Sequence, residues 1–432
     1  MSGSFSWIAW WHAVFAPAGP EDYGRIFNTF WFVIFAAIAV AIFWLLRKPV
    51  LRLPFLALAC VVFHYHYAGP AGMVPIIALG IATYLLGLSR HRAACTLGIV
   101  LSVLMLCFYK YIHFFAAEVL GLVNPAWGPA LEDGAKKLLP HVALATDKSY
   151  LFVPPLGMSF FAFEFVHYLY EIRRGKAPLR NPLQFLLFSI FFPSLVAGPI
   201  KRYEQFIPAL ETGARDAGLD DVAVGLQRIA LGFLKKVVVA DNLTLAIDFY
   251  VPQFAKLDLT ARWAILLLIA LRILFDFSGY SDIAIGLARL MGIRLPENFN
   301  WPYAAASIQD FWQRWHISLS SWIRDYVYIP LGGNRHGVAR KILNGLIAFA
   351  LVGLWHGPAW HFVIWGIYHG VGLAICSNYA ALPAIGPRLQ QFCARSPRLC
   401  WLATQLFAWI GWLVFFYPVA QACEMTAQLF AF

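Results

Sequence analysis

Long apolar runs alternate with short polar or basic segments over almost the whole of this chain. In the first half they lie at about 27–46, 50–67, 72–88, 94–115, 151–172 and 183–197. In the second half they lie at about 223–248, 260–291, 341–355, 359–376 and 400–420. Because a helix needs ~20 apolar residues to cross a bilayer, the pattern predicts an all-α polytopic membrane protein with about eleven transmembrane helices.

The segment 301–330 has a different pattern, in which apolar and polar residues alternate at helical spacing. Ser307, with Asp310 three residues later, is typical of a helix N-cap. Hydrocarbon cannot satisfy so many polar groups, and we therefore expect an amphipathic helix that lies at an interface or re-enters the membrane inside the protein. The polar residues of this predicted helix are Gln313, Arg314, His316, Arg324 and Asp325.

Two other segments interrupt the apolar pattern. Residues 117–150 mix Pro, Gly and charged residues, which predicts the longest loop of the first half. Pro193, Gly198 and Pro199 break the run before two cations, which predicts a re-entrant turn or the end of a span. We find no self-similar halves, so an inverted-repeat transporter is not favoured.

The composition excludes a water-soluble globular protein. Hydrophobic residues make up 61% of the chain and charged residues 13%, whereas about a quarter of the residues are charged in soluble domains. The net charge of +11 comes from Lys and Arg in short loops rather than along one face, so nucleic acid is not an expected partner. Basic loops near 47–52, 90–92, 173–180 and 201–202 should face the cytoplasm.

The residues also limit the chemistry. The seven cysteines form no CxxC pattern, and we expect free thiols rather than disulfides or a zinc site. HExxH and the phosphate-binding glycine motifs are absent from the sequence, so we expect no metal and no permanently bound cofactor. Lys201, Arg202, Lys235 and Lys236 resemble ordinary cytoplasmic loop markers, with contact to the phosphates of an anionic donor as the alternative.

Two histidines stand beside tryptophans, His316 in QRWHISLS and His356 in GLWHGPAW. Imidazole suits acid–base chemistry because its unperturbed pKa is ~6.5. The alternative for each is a core histidine bonded to a carbonyl, but the repeated Trp–His pair favours a functional role. This alternative fits the other histidines of the apolar runs better, namely His64, His66, His167, His361 and His369.

Asp276 and Asp282 lie inside the apolar run 260–291. An unpaired carboxylate is costly there, so we expect structural ion pairs with Arg272, Arg314 or Arg324; a proton relay is the alternative. Asp310 precedes Arg314 by four residues, which favours a pair along one helix.

A series of motifs resembles one family. PPLGMSFFAFEFVHYLYEIRRG (154–175), FFPSLVAGPIKRYEQF (191–206), KKVVVADNL (235–243), FDFSGYSDIAIGLARLMGI (275–293), the segment 298–335 and LWHG (354–357) occur in order. Together they resemble the membrane-bound O-acyltransferase (MBOAT) family, in its bacterial branch that acts on envelope polymers. The resemblance implies one domain over 1–432, with N-terminal helices in 1–115, the family core in 150–370 and C-terminal helices in 371–432. It also implies a fold around a central tunnel.

The resemblance implies catalysis by His356 and His316, with the LWHG histidine the usual catalytic one. We expect His356 to be the general base and His316 to orient the acceptor hydroxyl or to stabilise the oxyanion through an N–H; the alternative exchanges the two histidines. We expect the tunnel to be lined by Trp312, Trp315, Ser320, Arg314 and Trp355. The implied reaction moves an acyl group, with acetyl as first choice, from acetyl-CoA or an acylated carrier to a hydroxyl of an exported polysaccharide or a periplasmic partner protein. The implied location is the bacterial inner membrane, in contact with lipid. D-alanyl transfer, or a non-catalytic transporter or scaffold, remains the alternative.

Overall fold

The computed structural model describes residues 26–138, 152–381, 383 and 385–431, and all regular structure in these residues is helical. The first eight α-helices are α1 Phe30–Leu45, α2 Pro49–Leu88, α3 Arg92–Val123, α4 Trp127–Leu138, α5 Met158–Arg173, α6 Pro182–Ile190, α7 Tyr203–Asp216 and α8 Leu219–Phe233. The others are α9 Asp241–Tyr250, α10 Leu259–Leu290, α11 Ile308–Arg314, α12 Ile317–Ile323, α13 Gly337–His356, α14 Trp360–Asn378, α15 Gly386–Arg395, α16 Pro397–Phe416 and α17 Val419–Gln428. π-helical stretches interrupt α3, connect α8 to α9 and follow α12.

The helices agree with a multi-pass membrane protein. Among the described residues, α2, α3, α13 and α16 are each long and apolar enough to cross a bilayer, and α1 and Pro182–Ser194 are shorter apolar helices. The predicted all-helical class is therefore confirmed. The number of eleven spans stays a prediction.

The predicted loop at 117–150 is wrong for residues 117–138. Helix α3 continues to Val123, and α4 begins only four residues later and reaches Leu138. His113 Nδ1 on the end of α3 lies 2.7 Å from Glu132 Oε1 on α4, which ties the two helices together. Glu132, Asp133, Lys136 and Lys137, which suggested a loop, are thus part of a polar helix. Residues 139–151 lie outside the described part of the chain.

One compact unit comprises the described residues within 1–230 and 282–296. In it, α2 contains a non-helical residue, Gly69, with φ +62°. His64 packs on Phe161 near the start of α5, and Gly87 lies against Tyr168 and Ile172 near its end. From 64 to 87 a straight helix would rise ~35 Å, whereas α5 rises only ~17 Å from 161 to 172. The bend at Gly69 removes this mismatch, so the two predicted runs 50–67 and 72–88 are separate helical halves.

The second compact unit comprises residues 231–281 and 297–432. Its helices α13 and α14 are connected by only three residues and pack at very short range. A Cβ at Gly353 on α13 would overlap the carbonyl oxygen of Phe362 on α14, and one at Gly366 would overlap the carbonyl oxygen of Phe349. Glycine is required where two helix backbones approach this closely. The packing fixes the last turn of α13, which ends at His356.

Candidate active site

The predicted amphipathic helix of 301–330 is interrupted at its centre. Ser307 caps α11 as predicted, because its Oγ accepts a hydrogen bond from the Asp310 N–H at 3.1 Å. The helix then ends, and His316 has a left-handed backbone with φ +44° and ψ +56°. The result is two helices of seven residues each. Each is ~10 Å long against ~30 Å of hydrocarbon, so neither crosses a bilayer, in agreement with a re-entrant or interfacial segment.

His316 is held by an asparagine 18 residues earlier in the chain. The Asn298 carbonyl oxygen accepts a hydrogen bond from the Ile317 N–H at 2.9 Å. The Asn298 side-chain oxygen Oδ1 lies 3.1 Å from His316 Nδ1. A left-handed backbone is costly for a residue with a side chain, and these bonds to the His316 ring and to the backbone of the next residue stabilise it.

The His316 ring is enclosed by aromatic side chains and is 1% exposed. It meets the edge of Phe277 at 4.7 Å between ring centroids, and Trp355 lies at 6.2 Å. Its second nitrogen, Nε2, is buried and has no hydrogen-bond partner among the described residues. Burial lowers the pKa of His316, so the imidazole is neutral at pH 7 with one nitrogen free of a proton.

His356 is the last residue of α13 and is partly exposed. Its ring packs against Trp355 at 4.7 Å, Trp365 at 5.3 Å and Phe415 at 5.0 Å between centroids. Of the two Trp–His histidines, His356 is therefore the more accessible to a substrate. His316, by contrast, is buried.

Trp355 brings the two histidines together. It precedes His356 in the chain, and its ring also contacts His316. Two histidines 40 positions apart in the sequence thus share one aromatic neighbour.

The other residues predicted to line a tunnel have different surroundings. Trp312 is buried and packs on Phe349 and Trp365, while Trp315 packs on Trp412 at 4.7 Å. Ser320 Oγ donates to the Trp315 carbonyl oxygen at 3.1 Å, which extends the hydrogen bonding of the broken helix. Arg314 Nε donates to Asp310 Oδ1 at 2.7 Å. Trp312 and Trp315 are thus part of the aromatic packing beside the two histidines. Ser320 and Arg314 instead make hydrogen bonds within their own segment.

The carboxylates of α10 pair with cations, but not with the arginines that we expected. Asp276 Oδ1 lies 2.7 Å from Lys236 Nζ, and Asp282 Oδ1 lies 2.6 Å from Arg228 Nε. The expected arginines have other neighbours: Arg272 lies over the Phe416 ring, Arg314 pairs with Asp310, and Arg324 pairs with Asp325. The pairing depends on which helices pack against α10, which spacing along the sequence does not specify.

Two lysines that we expected to be loop markers are buried in ion pairs. Lys201 Nζ lies 2.6 Å from Glu164 Oε1, and the two side chains are 1% and 2% exposed. Lys201 also donates to Ser194 Oγ at 3.0 Å. Lys236 Nζ lies 2.6 Å from Asp241 Oδ1 in addition to its bond with Asp276. Because carboxylates hold both ammonium groups, neither is an ordinary surface charge.

The sequence interpretation missed several neighbours of the histidines. Asn298, Trp365 and Phe415 all belong to the candidate site. Asn298 begins the family segment 298–335 but was not selected as a site residue, and Trp365 and Phe415 lie in no motif that we quoted. His369 is fully buried beside Trp312 and Trp365, where we had expected only an aromatic span end. Its separation of four residues from Trp365 is the signal that could have placed it on the same face of α14.

The described residues contain no group of three or more His, Cys, Asp or Glu side chains placed to hold a metal ion. All seven cysteines lie in the described part of the chain and are free thiols; we expected them in the core, but only Cys60 and Cys95 are buried, and Cys423 is exposed. The chemistry that this arrangement can supply is that of two imidazoles and aromatic walls.

Two histidines around a shared tryptophan, in a multi-pass helical protein, suit acid–base chemistry. Residues 158–417 match the membrane-bound O-acyltransferase family, and the chain belongs to that family. Both histidines, Asn298 and the helices that carry them lie inside the matched range.

Three relatives with different named activities are similar to this chain. The chain is 37% identical over 344 residues to the probable alginate O-acetylase AlgI of Azotobacter vinelandii; this alignment covers 78% of this chain and 62% of that protein. It is 34% identical over 346 residues to the peptidoglycan O-acetyltransferase of Helicobacter pylori; the alignment covers 74% of this chain and 61% of that protein. It is 34% identical over 235 residues to the teichoic acid D-alanyltransferase of Bacillus subtilis, covering 52% and 59%. The chain thus spans about three-fifths of the length of these relatives.

Proposed function

We propose that this chain is an O-acyltransferase that moves an acyl group, with acetyl as first choice, from a thioester donor to a hydroxyl of an exported polysaccharide. The observation that carries the proposal is the pair His316 and His356 around Trp355, inside the range that matches the family. The relatives named as an alginate O-acetylase and a peptidoglycan O-acetyltransferase support a polysaccharide acceptor.

His356 is the proposed general base. As the acceptor oxygen attacks the thioester carbonyl carbon, His356 takes the hydroxyl proton, a role worth ~10²–10⁴-fold in rate. The tetrahedral intermediate then collapses, the carbon–sulfur bond breaks, and the proton is returned to the leaving thiolate. The partial exposure of His356 at the end of α13 supports this assignment over His316.

His316 is the proposed partner of His356. The sequence left two roles open for it, orientation of the acceptor hydroxyl or stabilisation of the oxyanion through an N–H. Its Nδ1 faces an acceptor, Asn298 Oδ1, at 3.1 Å, and its buried Nε2 has no partner among the described residues. A neutral ring that donates from Nδ1 leaves Nε2 unprotonated, which supports the first role, because such a nitrogen accepts a hydrogen bond from a hydroxyl and has no proton to give to an oxyanion.

The proposed setting is the bacterial inner membrane. The finer architecture is a single domain of about eleven spans around a central tunnel, with the basic loops on the cytoplasmic side. Acetyl-CoA or an acylated carrier would enter from the cytoplasm, since acyl thioesters are made there, and the hydroxyl would arrive from the periplasm. The first acceptor there is the polymer itself or a periplasmic acetyltransferase protein.

D-alanyl transfer is the second candidate, because the Bacillus subtilis relative is named a teichoic acid D-alanyltransferase. Mass spectrometry of the envelope glycans, with and without this protein, separates the two. Loss of an acetyl ester supports the first candidate, and loss of an alanyl ester supports the second. Unchanged esters would reject both. A His356→Ala protein that assembles normally and restores the esters would leave only a scaffold role.

A further inference from the structure

The side-chain amide of Asn298 makes hydrogen bonds to several groups around His316. Asn298 is 0% exposed. Its Oδ1 lies 3.1 Å from His316 Nδ1, 2.7 Å from Ser318 Oγ and 3.3 Å from the Ser318 backbone nitrogen. Its Nδ2 donates to Ser281 Oγ on α10 at 3.2 Å. A fully buried amide with both ends engaged has one orientation.

The backbone of Ser318 decides which orientation that is. A backbone N–H only donates, so the Asn298 atom that faces it must be the oxygen. The same oxygen faces His316 Nδ1, which must therefore carry the proton of the neutral ring. Nε2 is then left as a bare acceptor, and it is the nitrogen that is buried without a partner in the described structure.

We propose that Asn298 is a positioning residue that holds His316 in the Nδ1–H tautomer and so presents Nε2 as an acceptor to the hydroxyl of the incoming substrate. The role of Nε2 toward the hydroxyl rests on the proposed acyl transfer; the tautomer does not. Asn298 also bonds the backbone after the left-handed His316, so one residue sets both the place and the protonation pattern of the ring. The asparagine acts through the histidine and does not itself contact the reacting atoms.

The carboxylates on the helices around His316 are held in ion pairs with other residues. Asp276 on α10 is held by Lys236, Asp310 on α11 by Arg314, and Asp325 after α12 by Arg324. Glu297 precedes Asn298 in the loop, and His356 ends α13. A carboxylate placed at 298 would therefore be a new charge directly beside the imidazole.

The tautomer can be measured without any acyl transfer. Full-length protein with ¹⁵N-labelled histidine is examined by solid-state NMR in lipid, and the His316 signals are assigned by their loss in His316→Gln. We expect a protonated Nδ1 and an unprotonated Nε2 in the unmodified chain. In Asn298→Leu this pattern should be lost or mixed, whereas the matched change Asn300→Leu, at an exposed position two residues on, should preserve it. A wild-type ring protonated at Nε2 would overturn the proposal.

Activity gives the second measurement. Asn298→Leu should lower acyl transfer at least about tenfold, by analogy with the ~10–100-fold loss when the hydrogen-bond partner that orients a metal-bound histidine is removed. Asn300→Leu should stay near wild type. Asn298→Asp keeps the acceptor oxygen, so it should recover much of the activity. Its charge favours the imidazolium, so the acid limb of its pH–rate profile should move to higher pH.

The outcomes separate a positioning role from a structural one. A purely structural asparagine predicts that Asn298→Asp leaves the pH profile in place, and that result would contradict the proposal, as would full activity in Asn298→Leu. If Asn298→Leu does not fold, the wild-type tautomer and the Asn298→Asp profile still decide. If the chain transfers no acyl group at all, the NMR result stands alone, so failure of the proposed function is distinguishable from failure of this inference.

Discussion

The indole of Trp355 lies 6.2 Å, between ring centroids, from the imidazole of His316. Because His356 is the next residue after Trp355, this contact brings the end of α13 beside the break between α11 and α12. Two motifs that are far apart in the sequence thus form one aromatic-walled site.

The first prediction concerns the two histidines. His356→Gln and His316→Gln should each lower acyl transfer at least about tenfold with normal folding, because each would remove an imidazole that acts in the transition state. His361→Gln is the control, since His361 lies at the start of α14 and contacts Phe362 instead. Turnover in detergent-purified protein is the measurement. Near-normal turnover in either variant would remove that histidine from the mechanism.

The second prediction concerns the carboxylates of α10. Asp282 is 7% exposed in its pair with Arg228, so Asp282→Asn should destabilise the protein by ~3 kcal/mol. Asp276 is 40% exposed, and Lys236 would keep Asp241 as a partner, so Asp276→Asn should cost clearly less. Thermal unfolding gives both values, with the exposed Asp216→Asn as a control near zero. Normal stability with abolished activity would instead promote either aspartate to a catalytic role.

The third prediction concerns the buried pair of Glu164 and Lys201. Either Glu164→Gln or Lys201→Met should destabilise by ~3–5 kcal/mol, because one buried charge is left without its counter-charge. The double change Glu164→Met with Lys201→Met should recover much of the loss, since it removes both charges. A double variant as unstable as the sum of the single ones would show that the charges do not act as a pair.

The fourth prediction tests the close packing of α13 on α14. Gly353→Ala should lower the thermal stability and the activity, because its Cβ would overlap the Phe362 carbonyl oxygen and shift the turn that carries His356. Gly345→Ala is the matched control on the same helix, where an added Cβ has no neighbour within 4 Å. It should be neutral or stabilising by up to ~1 kcal/mol. Equal effects of the two changes would contradict the packing.

The local pattern of the sequence was sufficient for much of this fold. Apolar runs of membrane length predicted the helical class, and Ser307 with Asp310 predicted the start of α11, because hydrophobic periodicity and capping act over a few residues. The two Trp–His motifs predicted His316 and His356 as the histidines of the candidate site, since imidazole in an apolar run is costly and therefore informative.

The tertiary structure decided the rest. The helical sequence pattern continues through His316. The helix is nevertheless interrupted there, because Asn298, 18 residues earlier, bonds the Ile317 backbone and the His316 ring. Lys236 and Arg228 pair with the carboxylates of α10 because their helices pack beside it. Local sequence fixes which residues prefer a helix or a membrane. Which distant side chain neutralises a charge or orients a ring depends on packing over long separations.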